Sequence, residues 1–310
     1  MKKILLPLFF LVMLSLDNFA QDDGYVPTRK ELNSFFNTKT LIVLGPNPIS
    51  HYNHQIKKAV ENNWDITDYE FIKYSEFEKY RKDPQYSFLI RNLVVFEKDK
   101  TKARYRFLSL MLGKKVILME DMPTLVGVPL SYREVDQEYW SYKLGVILRF
   151  IQKHVKLMKK NPDIIGDNIF QYYNKNIKDI KGKTLYLVKD ELAEEVNTRE
   201  EIAEYYSYDF KLVTRKEVEK AIEEENESVV FLHKVGPQGS RHRARCYKIL
   251  MGAKNAEFYY FDYHFVKKGR RPDGFLKKDF KKFNELNVKK QYMFEPERRV
   301  YIVLRKCLEF

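Results

Sequence analysis

Three basic positions recur at a single spacing. Lys100 is matched by Arg241, Lys102 by Arg243 and Arg104 by Arg245, each pair 141 residues apart. In each copy the residues lead into a stretch that reads as a helix. The first carries Tyr105, Leu108 and Leu112 and stops at Gly113; the second runs to Gly252. Cations at a helix start, beside free N–H groups and the positive end of the dipole, predict an anion site. Gly236 and Gly239 precede the second copy and would let the backbone approach a ligand, although their spacing is not that of a phosphate loop. The competing reading is a solvated basic face common to both copies.

The other reactive residue types do not assemble into a signature. His51 and His54 lie three apart at a helix start, and Asp262 and His264 lie two apart past a strand where His242 could join them. No H-E-x-x-H or Cys/His pattern completes a metal site around any of the six histidines, so no metal and no cofactor is expected. Glu194-Glu195 and Glu223-Glu224-Glu225 fall in polar helical stretches and read as solvent faces rather than acid/base pairs. Cys246 has no local partner that would mark a nucleophile. Only Cys307 could pair with it, with Cys246 in a helical pattern and Cys307 near the end of a strand. The loop Gly45-Pro46-Asn47-Pro48 with Ser50 follows an apolar run, which is where α/β sheets bind ligands; a plain turn is the alternative reading.

The elements that must position these residues also come twice. Thr40-Leu41-Ile42-Val43-Leu44 returns as Thr184-Leu185-Tyr186-Leu187-Val188, and Glu76-Phe77-Glu78-Lys79 as Glu217-Val218-Glu219-Lys220. Phe88-Leu89-Ile90 returns as Val229-Val230-Phe231. Short apolar runs between helical patterns predict crossover connections and mainly parallel pairing. The expected fold class is therefore α/β, with two tandem duplicated units of βαβαβ type. Val116–Met119 and Glu257–Phe261 read as the fourth strand of each unit, and 122–135 as loop. A long helix over 136–160 closes the first unit, with Lys156, Lys159 and Lys160 complementing its C-terminal dipole. Thr214 with Glu217 forms a capping box, and Thr28 with Glu31 fits the same role. The expected boundaries are 1–20, 21–37 as linker and short helix, 38–160 as first unit, 161–183 as bridge, and 184–310 as second unit.

The run Phe210-Lys211-Leu212-Val213-Thr214-Arg215-Lys216-Glu217-Val218-Glu219-Lys220, followed by Val229-Val230-Phe231-Leu232, resembles the βαβαβ module of certain envelope proteins. These are the N-terminal domain of the periplasmic protein of the Tol system and the curli secretion lipoprotein. The resemblance covers roughly fifty residues per unit as a pattern of elements. It implies a protein-binding or assembly module rather than an enzyme. It carries over no site residues, and the lipoprotein cysteine, the propeller repeats and the pore hairpin have no counterpart here.

Residues 1–20 read as an export signal: Lys2-Lys3, a largely apolar run from Ile4 to Leu16, and the small residue Ala20 before Gln21-Asp22-Asp23. The apolar run is short for a membrane span. A periplasmic or secreted location is therefore expected, with no transmembrane segment after cleavage. The formal charge is +13. Removing Lys2, Lys3 and Asp17 leaves +12 (13 − 2 + 1), which favours anionic partners. After export these would be anionic envelope components or envelope proteins, with no nucleic acid expected. The apolar content of 44% is enough to build cores, which excludes disorder as the default. The sequence thus points to an exported non-enzymatic envelope protein that binds an anionic partner or scaffolds an assembly. The alternative is an exported hydrolase or glycan-acting enzyme with a cleft between the two units.

Overall fold

The computed structural model describes residues 26–96, 101–166, 172–238, 243–267, 270–286 and 300–302. Residues 1–20, read from the sequence as an export signal, most of the last twenty residues, Cys307, Lys100, Arg241 and His242 lie outside them. In chain order the elements are α1 (Arg29–Phe35), β1 (Lys39–Val43), α2 (His51–Asn63), β2 (Tyr69–Ile72), α3 (Phe77–Tyr80), β3 (Tyr86–Phe96), β4 (Tyr105–Leu112), β5 (Thr124–Tyr132) and α4 (Leu144–Lys160). There follow β6 (Thr184–Val188), α5 (Arg199–Ala203), β7 (Phe210–Val213), α6 (Arg215–Glu223), β8 (Val229–Val235), β9 (Arg245–Gly252), β10 (Phe258–Phe265), α7 (Lys277–Glu285) and β11 (Val300–Ile302). No helix among the described residues is long and apolar enough to cross a membrane.

The two sheets have one strand order. The first runs β2-β1-β3-β4-β5 and the second β7-β6-β8-β9-β10. In each, the first strand in sequence pairs parallel with the next two, Leu41 standing opposite Phe88 and Leu185 opposite Val230. The last three strands of each unit are antiparallel. In addition, β11 pairs antiparallel with Val94–Phe96 of β3. The sheets are thus mixed, not mainly parallel.

The correction comes from two stretches that read as helices and are strands, β4 and β9. Both strands are covered on both faces, so apolar residues do not simply alternate along them. Tyr105, Leu108 and Leu112 then match helical spacing by coincidence. Val116–Met119 is not a strand but a loop that leaves Ile117 and Leu118 exposed. The strand lies further on, as β5, within the stretch read as loop. Its Pro129 lacks an N–H, which is tolerated because β5 is an edge strand and the register shifts there. Helix α4 starts at Leu144 rather than Asp136; two single 3-10 turns fill 137–143.

Helix starts follow their sequence signals. Thr28 with Glu31 and Thr214 with Glu217 form complete capping boxes, and the Ser50 hydroxyl accepts from the Asn53 N–H. Such caps contribute about 0.5–2 kcal/mol each. One apolar core runs through both units. Helix α4 inserts between them, and its Phe150 ring stacks on Phe258 of β10 at 3.6 Å. A second junction is aromatic: Phe96, Tyr105 and Phe107 of the first sheet pack edge-on or tilted against Tyr247 of the second.

Candidate functional site

The repeated basic residues sit in two turns that correspond closely. Lys102 and Arg243 are both exposed and both left-handed, with φ of 47° and 64°. The next residue in each copy, Ala103 or Ala244, is fully buried. The turns touch, since the Thr101 hydroxyl donates to the Arg243 carbonyl at 3.4 Å. Each turn leads into a strand, so the helix-terminus argument for anion binding does not apply here. Arg104 is half-buried, and its carbonyl accepts from the Arg133 N–H. Arg245 is 3% exposed, with its guanidinium 4.1 Å from the centre of the Phe96 ring and near Tyr263 and Phe265. That is a cation–π environment inside the junction between the units.

The remaining sequence candidates disperse. The His51 Nδ1 bonds the Ser141 hydroxyl at 2.8 Å, and the His154 Nδ1 bonds the Tyr173 hydroxyl. His233 donates from Nε2 to the Pro129 carbonyl, and His264 donates from Nε2 to the Pro272 carbonyl. Burial lowers His154 and His264 to about 4 and His233 to about 3. Asp262 lies against Tyr260 and Lys282 rather than His264. No group of three or more His, Cys, Asp or Glu among the described residues could hold a metal ion. Cys246 is buried in β9, not in a helix, and burial pushes its thiol up, away from nucleophilic use. Its pairing with Cys307 lies outside the described residues. The loop after β1 is locked by the Asn53 side chain, which bonds the Gly45 N–H and the Gly45 and Asn47 carbonyls. It behaves as a turn.

A cleft lies beside α4, where the two units meet. It has a volume of about 660 Å³ and takes its walls from α2, α4 and the 3-10 stretch Asn174–Ile180. Five cations line it: Arg149, Lys153, Lys156, Lys160 and Lys175. The carboxylates are three, Asp65, Glu225 and Glu257. Each of those acids already holds a cation: Lys156 with Asp65, Arg149 with Glu225, and Lys153 with Glu257. Among the described residues no carboxylate pairs with Lys160 or Lys175; the Lys175 ammonium lies 3.7 Å from the centre of the Tyr172 ring. The cleft therefore carries an excess of positive charge. Arg149–Glu225, together with Lys58–Glu223 at 2.6 Å, ties α4 and α2 of the first unit to the end of α6 in the second. So Glu223 and Glu225, which read as solvent face in the sequence, join the units. No motif in the sequence marks the cleft. The one available signal is the 153, 156, 160 spacing, an exposed stripe of a helix.

A second polar region lies around the C-terminal ends of β6 and β8, with Lys234 within β8 itself. Lys143 is fully buried and donates to Glu191 at 2.5 Å and to the Leu232 carbonyl at 2.8 Å. Burial lowers the Lys143 pKa, against the pull of Glu191. Lys234 pairs with Asp273 at 2.5 Å, and Arg215 pairs with Asp190. The space among these groups is about 30 Å³, room for a water or two and no substrate.

Comparison with protein-family models, with curated proteins and with solved structures returns no match.

Proposed function

We propose that this is an exported, non-enzymatic envelope protein that binds an anionic partner in the cleft beside α4. The observation that carries this reading is the pair of lysines, Lys160 and Lys175, without carboxylate partners among the described residues in a cleft of about 660 Å³. Its other cations are already neutralised by ion pairs that also fix the walls. A preformed cleft with surplus positive charge attracts anions at little reorganisation cost. The lysine-led apolar segment in 1–20 supports export. The resemblance of 210–232 to the Tol and curli module points toward binding or assembly. Lys102, Arg104 and Arg243 offer a second basic contact, favoured by the touching of their turns, with Lys100 and Arg241 adjacent in sequence.

The test is retention of envelope components by the mature chain at low and high salt. The wild type is expected to retain an anionic component that salt releases, and the double variant Lys160→Glu, Lys175→Glu to lose it. Retention that ignores both salt and the double substitution contradicts the proposal.

The hydrolase reading rests on the buried Lys143–Glu191 and Lys234–Asp273 pairs around the strand ends, where α/β sheets often place catalysis. The small space among them favours a structural role, and the binding reading stands ahead of it.

A further inference from the structure

The cleft does not end at its basic wall. A second hollow of about 310 Å³ adjoins it, and the two share Asn62, Asn63, Arg149 and Glu225 as a waist. The second hollow has the opposite character. Its acids are Glu219, Glu223 and Glu225, and its cations are Lys58 and Arg149. Glu223 and Glu225 are held by those two cations. Glu219, half-buried on α6, has no ion-pair or hydrogen-bond partner among the described residues. The Tyr142 side chain and the Arg149 guanidinium complete the lining here. Gly145 lets α4 approach α2 closely at this end, since a Cβ there would stand 3.3 Å from the Asn63 amide.

We propose that the two hollows form one groove with an electrical direction, and that its ligand is an extended peptide bearing both charges. An acidic stretch lies at the wide end against Lys160 and Lys175. A basic side chain enters the narrow end against Glu219. The exposed Asn62 amide at the waist is placed to bond peptide backbone. Each end keeps charge of one sign without an ion-pair partner among the described residues, Lys160 and Lys175 at the wide end and Glu219 at the narrow one. A uniformly anionic polymer would satisfy the wide end and be repelled at the other. This inference rests on the anion-binding reading and adds the class of partner to it.

The experiment is fluorescence anisotropy with three labelled peptides on the full mature chain. One has a run of Asp followed by a Gly spacer and Lys. The second has the reverse order. The third has Gly in place of the Lys. At least one Lys-bearing peptide is expected to bind about fivefold more tightly than the third, the effect of one partly buried ion pair. In Glu219→Gln that difference is expected to vanish. If all three bind alike and Glu219→Gln changes nothing, the directional groove is wrong while the anionic cleft survives. If none binds, the anionic cleft itself is wrong.

Discussion

The buried polar residues of the first sheet are Thr40, Ser87, Asn92, Ser109 and Ser131, whereas those of the second include the ions Arg245, Lys248 and Asp262. In the first, Thr40 shares hydrogen bonds with Ser87 and Thr67, and Ser109 donates to Asn92. In the second, Lys248 of β9 is fully buried and donates to Asp279 of α7 at 2.6 Å, with Asp262 3.9 Å away. The Tyr260 hydroxyl is within 3.0 Å of both carboxylates. Burial pushes the Asp262 carboxyl up, but Lys248 and Lys282 outweigh it and hold the group below its usual range. By register, Ser87 stands opposite Thr40 and Val229 opposite Thr184, so Asn92 of β3 corresponds to Lys234 of β8. One strand order thus tolerates two kinds of interior, with Lys248 paired to Asp279 and Arg245 held against aromatic rings. The strand order reflects chain connectivity, which does not depend on what the faces contain.

The largest effect should come from breaking that difference. Asp279→Ala leaves the Lys248 ammonium buried without its closest carboxylate and also removes the bond from the Leu276 N–H. Denaturant unfolding should show a loss of about 3–5 kcal/mol. Ser109→Ala in the first sheet should lose about 1 kcal/mol. Equal losses would mean that the ionic interior is energetically ordinary.

Acid should sharpen the same contrast. His233 and His264 lie in the second sheet, held at about 3 and about 4 by burial, and His154 on α4 is held at about 4. The unfolded chain gains a proton on each near pH 6.5, while the folded chain resists until pH 3–4. Stability should therefore fall as the pH drops below about 6.5, and the fall should level off near the folded values. Hydrogen exchange at mildly acidic pH should show β8, β9 and β10 losing protection before β1, β3 and β4. Simultaneous loss would place the sensitivity elsewhere, with His154 as the first residue to replace.

The smallest effect concerns where the units agree. Lys102→Gly and Arg243→Gly relieve a left-handed residue in each turn, offset by the greater freedom of glycine in the unfolded chain. Both variants should stay within about 1 kcal/mol of wild type and shift in the same direction. Opposite shifts, read by thermal melting, would break the equivalence of the two turns.

The repeat is legible in the sequence because paired segments keep their spacing, and the capping boxes because three-residue hydrogen bonding is local. Lys102 and Arg243 are legible as a pair for the same reason, although their turns lead to strands. Strands β4 and β9 read as helices because burial on both faces erases the alternation that marks a strand. The cleft is hidden for a different reason. Its walls come from Asn62, Lys160 and Lys175, which only packing brings together. Lys159 and Lys160 do end α4, as the dipole argument requires, and Lys160 faces the cleft as well.

The most direct test of the account is a calorimetric titration of the chain from Gln21 onward with an oligo-aspartate peptide, repeated on Lys160→Glu, Lys175→Glu. Binding that weakens with salt, and weakens by about tenfold or more in the double variant, is the predicted result. Binding of equal strength in both proteins, or none to the wild type, would contradict the assignment of the cleft beside α4 as the anion site.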